Sequence, residues 1–145
     1  MRVFLDSDVI LDLVLCREPD VAIAHEIFRS IARHEFEAFT SAVVIVNVHY
    51  FAKKEKDGTF AIAEVKNLLT LLDILSIHER TLQQAIALPI IDFEDAVQCA
   101  AAVAEGLDAI VTRNVKDFAN SPLPVYSPAE FVKLIQTEHA SEESD

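Results

Sequence analysis

The stretch Val3-Phe4-Leu5-Asp6-Ser7-Asp8-Val9-Ile10-Leu11-Asp12 decides how the rest of the chain is read. An apolar run ends on a carboxylate, and two more acids follow at Asp8 and Asp12. Arg2–Leu5 has the composition of a buried strand, and Ser7 or Asp8 opens a helix through Val9–Leu15. Asp6 then has two readings. In one it begins that helix, as Asp commonly does at an N-cap. In the other it sits at the carboxyl end of a strand and holds a metal ion, so other segments must supply its partners.

Working outward, strands and helices alternate. Pro19 suits the first turn of a second helix, on which Val21, Ala24, Ile27, Phe28 and Ile31 share one face. Phe36–Thr40 reads as a second strand, and Thr40-Ser41 starts a helix from Ala42 to about Lys56, stopped by Asp57-Gly58. A helix over Thr59–Leu69, a strand over Leu71–Ile77 and a helix over Glu79–Leu88 follow. After Pro89, Asp92 opens a helix to Gly106, and Asp108–Thr112 is an apolar strand. Val125-Tyr126 makes a last short strand before Ser127-Pro128-Ala129-Glu130, a capping box with Pro at the first helical position. This order predicts an α/β layer fold with a mainly parallel sheet. One domain over 1–137 accounts for it, with an acidic, disordered tail at 138–145.

Composition narrows the function classes. A chain of 145 residues with 52% apolar and 25% charged residues can bury a real core. No apolar run reaches the ~18–20 residues needed to span a bilayer, and Asp6 and Asp8 interrupt any signal-peptide pattern. Cys16 and Cys99 have no neighbouring His or Cys, which argues against a zinc site or disulfide framework and for a reducing, cytoplasmic setting. The net charge of −12 opposes broad attraction to nucleic acid and suits a cation site or a basic partner.

In parallel α/β folds, ligands bind outside the carboxyl ends of the strands. Asp6 ends the first strand, and Thr40-Ser41 ends the second with Asn47 further along the following helix. Thr112, Arg113 and Asn114 end "DAIVT", with Asp117 beyond, and Asp92 and Asp95 lie in the first turn of a helix. Two charges 4 Å apart repel by ~4 kcal/mol at an effective dielectric of 20. A divalent cation relieves such a cluster, and all-oxygen ligands suit Mg²⁺ or Mn²⁺, which can activate water against a phosphodiester. Each residue also has a plain role open to it. Asp92 and Asp95 can form a capping pair, Asn47 can be an ordinary polar position, and Asp117-Phe118 can be a turn with a core anchor. His49 has no Asp or Ser partner for nucleophilic catalysis and reads as structural.

With these residues in place, the chain resembles PIN-domain ribonucleases, in particular the VapC-type toxins of bacterial toxin–antitoxin pairs. The matching pieces are "VFLDSDVILD", "SAVVIVNVHYFAKK", "DFEDAVQCAAA" and "DAIVTRNVKDF", in family order and spacing, over nearly the whole chain to about Phe131. The resemblance implies a three-layer α/β/α domain with about five strands. It also implies Mg²⁺- or Mn²⁺-dependent cleavage of single-stranded or loop RNA, by a homodimer paired with an antitoxin. By the same resemblance Asp6, Asp95 and Asp117 are the expected metal ligands, and Asn47 and Asn114 complete the catalytic set. Asp92 is a possible helper. Two positions depart from the common pattern: Asn47 stands where many PIN domains have Glu, and Asp8 where many have Asn. Asn can bind a cation or a phosphate but cannot act as a base. A related branch of the family shares the Asn.

Thr112, Arg113, Lys116 and Lys53 are the expected substrate-binding residues, a basic rim around an acidic cleft. Lys53, Lys54 and Lys56 can instead complement a helix C-terminus. Two rivals stand beside the nuclease. In a dehalogenase-type phosphatase Asp6 would be the nucleophile and Asp8 the acid, but no Lys and Gly-Asp motifs follow. In the other, a PIN fold has lost turnover and serves as an interaction or RNA-binding domain.

Overall fold

The computed structural model describes residues 1–143. Five strands form one sheet: β1 (Arg2–Leu5), β2 (Glu37–Ser41), β3 (Asp73–Leu75), β4 (Ala109–Val111) and β5 (Val125–Tyr126). Their order is β3-β2-β1-β4-β5 and every neighbouring pair is parallel. β1 lies at the centre, with Val3 opposite both Ala38 and Ala109, and Val3, Phe4 and Leu5 are fully buried. An unbroken apolar run is what a strand covered on both faces requires.

The chain first builds outward from β1 to β2 and β3 through α1 (Ser7–Val14), α2 (Val21–Ala32), α3 (Ala42–Glu55) and α4 (Gly58–Leu71). It then returns past β1 through α5 (Glu79–Ala87) and α6 (Phe93–Ala104) to β4. Right-handed crossovers running in opposite directions put these two groups on opposite faces of the sheet. Packing agrees: α1 contacts α2 and α3, α3 contacts α4, and α5 contacts α6. The final helix α7 (Pro128–Glu143) returns to the first layer against α2, anchored by Phe131, whose ring meets Phe36 edge-on at 4.8 Å. The expected three-layer α/β/α architecture is therefore present.

Helix ends follow the sequence signals. Ser41 caps α3 by accepting from Val44 N, Asp57 caps α4 from Phe60 N, and Ser127 and Glu130 form the expected capping box. Gly106, at φ +72°, closes α6, with Leu107 N bonded to Ala102 O and Gly106 N to Val103 O. Elsewhere the boundaries differ. Pro19 lies ahead of α2 in a turn closed by Val21 N on Arg17 O. β3 is only three residues long, because Leu72 N still bonds to Leu68 O and carries α4 to Leu71. α7 runs on through the segment expected as a tail, as far as Glu143. Its Glu and Ala residues favour the helix, Ile135 anchors the preceding turn, and His139 Nδ1 lies 3.9 Å from Glu35. Residues 144–145 of that expected tail lie outside the described residues.

Candidate active site

Strand order reverses between β1 and β4, so the crevice of this fold opens where those two strands end. Asp6 follows β1 directly, its N–H bonded to Val111 O at 3.0 Å, and Thr112 follows β4. The N-cap reading of Asp6 is met here. It caps α1, accepting from Ser7 N at 2.8 Å on Oδ1, while Oδ2 accepts from Thr112 Oγ1 at 2.8 Å. Only 8% of Asp6 is exposed. Burial raises its pKa, the two hydrogen bonds resist that, and the charges of Glu94 and Asp117 push it further up.

Asp8 faces the loop after β4. Its Oδ2 accepts from Arg113 N at 3.0 Å and Asn114 Nδ2 at 3.1 Å, and Thr112 Oγ1 lies 3.3 Å away. Asn114 N in turn donates to Thr112 Oγ1 at 3.0 Å. Burial, and then the charge of Asp6, push the Asp8 pKa up to about 6. Its other oxygen, Oδ1, is buried without a partner.

Two of the expected substrate-binding residues are engaged by carboxylates of the protein itself. Thr112 is fully buried and its hydroxyl is spent on Asp6. Arg113 turns inward, gripping Asp12 with Nε at 2.7 Å and a terminal nitrogen at 3.1 Å. Asp20 adds a second carboxylate at 3.7 Å. A buried carboxylate on α1 holds the guanidinium, whose bidentate fork fits that partner. Lys53 is exposed near the far end of α3, six residues past Asn47 or ~9 Å along the axis. It stands away from the sheet edge where Asp6 lies.

Across the crevice, Asp92 caps α6 by accepting from Asp95 N at 3.0 Å. The capping pair expected from sequence is thus present, and it leaves the Asp95 carboxylate free. Burial first, then the charges of Asp6, Asp92, Asp117 and Glu94, push Asp95 up to about 7. Asp117 sits in a 3₁₀ turn, Val115–Phe118, whose Phe118 is a core anchor as expected. A cavity of about 290 Å³ opens beside it, lined by Ile90, Ile91, Asp95, Lys116 and Asp117. Lys116, unlike Arg113 and Lys53, therefore stands at the mouth.

Glu94 was not among the residues singled out from the sequence. Its Oε1 accepts from Asn47 Nδ2 at 2.7 Å, joining α3 to α6. Deeper in the same gap Ser41 Oγ donates to Gln98 Oε1. The acidic first turn of α6 was the only available signal, and helix-capping accounts equally well for acids there.

Among the described residues, no three His, Cys, Asp or Glu side chains are gathered tightly enough to hold a metal ion alone. The donor set nevertheless fits a hydrated divalent cation. It offers oxygen only, the buried Asp8 Oδ1 lacks a partner, and the charge of Asp6 raises Asp95's cost of ionisation. Mg²⁺ typically takes one or two carboxylates and keeps several waters. Among the described residues, no helix is long and apolar enough to cross a membrane.

This crevice belongs to a recognisable class of domain. Residues 2–116 match the family model of the PIN domain, and the chain belongs to that family. It is 27% identical to ribonuclease VapC1 of Aquifex aeolicus, over 94% of this chain and 96% of that protein. The VapBC2 complex of Rickettsia felis, bound to a DNA fragment from its promoter, superposes with a TM-score of 0.70. That match has 20% identity and covers 88% of this chain and 98% of its counterpart. A toxin–antitoxin complex from Klebsiella pneumoniae gives a TM-score of 0.67 at 23% identity, covering 87% and 97%.

Proposed function

We propose that the protein is a Mg²⁺- or Mn²⁺-dependent endoribonuclease that hydrolyses single-stranded or loop RNA. It acts in the cytoplasm as the toxin of a toxin–antitoxin pair, and as a homodimer. The observation carrying this reading is that Asp6 and Asp95, at the carboxyl edge of a PIN-domain sheet, are both raised by burial and by the charge of Asp117. Kinship with a VapC ribonuclease supports the chemistry.

In this reading Asp6, Asp95 and Asp117 hold the ion, which when bound supplies charge neutralisation and a more acidic water. Thr112 fixes Asp6 in place, and Asn114 with Asp8 holds the loop that carries Thr112. Lys116 faces the anionic backbone at the cavity mouth. The −12 charge of the chain suits capture by a basic antitoxin segment. Asn47 in place of a Glu favours a second reading, an interaction or RNA-binding domain without turnover.

A mixed RNA pool incubated with purified protein separates the two. Metal-dependent cleavage, abolished by EDTA and in Asp6→Asn and Asp95→Asn while both variants stay folded, is the expected result. Full activity in either variant would sink the assignment. Mn²⁺ binding without cleavage would favour the second reading.

A further inference from the structure

We infer that Glu94 supplies the metal-site carboxylate whose usual place in the family is taken here by Asn47, and that Asn47 is the residue that positions it. This rests on the metal-dependent reading above and deepens it.

The geometry begins with the amide. Asn47 sits on α3, turned toward α6, and its NH₂ donates to Glu94 Oε1 at 2.7 Å. A donor so committed leaves Asn47 as a holder of an acid, not a source of one. Glu94 is the second residue of α6, adjoining Asp95. One of its oxygens is occupied by Asn47, which leaves Oε2 free as an acceptor. A hydrogen bond to one oxygen of a ligating carboxylate fixes its direction, as such outer partners do in metal sites generally.

Glu94 also faces the right neighbours. Its charge acts on Asp6, and it adjoins Asp95 in the first turn of α6. Thus the gap between α3 and α6 still holds a carboxylate–amide pair, with the acid contributed by the opposite helix.

The test is calorimetric titration of Mn²⁺ into the metal-free full chain: wild type, Asp6→Asn, Glu94→Gln, and the exchange variant Asn47→Glu with Glu94→Gln. Glu94→Gln is isosteric and at the surface, and circular dichroism checks each fold. We expect Glu94→Gln to weaken Mn²⁺ binding about tenfold or more, and the exchange variant to return within about threefold of wild type. Wild-type affinity in Glu94→Gln, with binding lost in Asp6→Asn, overturns this inference alone. An exchange variant as weak as Glu94→Gln overturns the replacement of one helix's acid by the other's. A wild type that binds no Mn²⁺ overturns the metal-dependent reading itself, and Glu94's role with it.

Discussion

Thr112 Oγ1 donates to Asp6 Oδ2 at 2.8 Å, and Thr112 is fully buried while Asp6 is nearly so. One hydroxyl from the end of β4 therefore sets the direction of the carboxylate at the end of β1. Thr112→Val keeps the shape and removes the donor. The carboxylate then loses a bond of about 1.5–3 kcal/mol, typical where one partner is charged. The expected outcome is a drop of that order in urea-unfolding stability at neutral pH, and Mn²⁺ affinity lower by about tenfold. Unchanged metal affinity would mean that Asp6 does not rely on Thr112 for its orientation.

The pH dependence of the metal-free protein follows from two raised carboxyls. Asp95 is pushed up to about 7 and Asp8 to about 6, both from 3.8. Between these values and 3.8 the folded chain binds protons that the unfolded chain has released. Their contribution to stability is thus full at the acid end and is lost as pH rises to about 7. In EDTA, the Tm of wild type should fall across the upper part of this window more steeply than that of Asp95→Asn. With Mn²⁺ in excess the trend should reverse, because protons compete for the same oxygens. Parallel curves for wild type and Asp95→Asn in EDTA would refute the raised Asp95.

Lys116 and Lys53 separate two versions of the basic rim. Lys116 lines the cavity beside Asp95 and Asp117, whereas Lys53 is near the distal end of α3. An exposed charge pair contributes up to about 1 kcal/mol, so Lys116→Ala should lower kcat/KM for RNA about fivefold. Lys53→Ala should leave it unchanged. Equal losses in both variants would restore the wider rim.

The parallel sheet was legible because apolar runs and helical spacing are local signals, and Asp6 was legible because it ends such a run. Asp95 could be placed from its offset after Pro89. What the sequence does not expose is direction. Asp8, Asp12 and Asp117 are equally acidic on paper, yet the first clamps the loop after β4 and the second grips Arg113. Asp117 alone of these three borders the cavity. That Arg113 also has a buried partner is invisible in the sequence, because Asp12 lies 101 residues away in the chain. Glu94 was hidden for a similar reason: only the approach of α3 to α6 shows that Asn47 holds it.

The Arg113–Asp12 pair ties the loop after β4 to α1, and the Asp12 side chain is only 2% exposed. Removing the cation alone strands a buried carboxylate, which costs about 3–5 kcal/mol where both partners are buried. Here 34% of the Arg113 side chain is exposed, so water offsets part of that cost. Arg113→Ala should destabilise by about 2–3 kcal/mol, below the fully buried range. Arg113→Lys should recover little, because an ammonium cannot reproduce the two-point contact. The double variant Asp12→Leu with Arg113→Leu removes both charges together and should regain most of the lost stability. Because Arg113 N also donates to Asp8, the backbone of this loop keeps one tether in every variant. RNA cleavage should therefore track stability across the series, not the presence of the guanidinium. An Arg113→Leu, Asp12→Leu protein that is stable yet inactive would instead return Arg113 to the substrate.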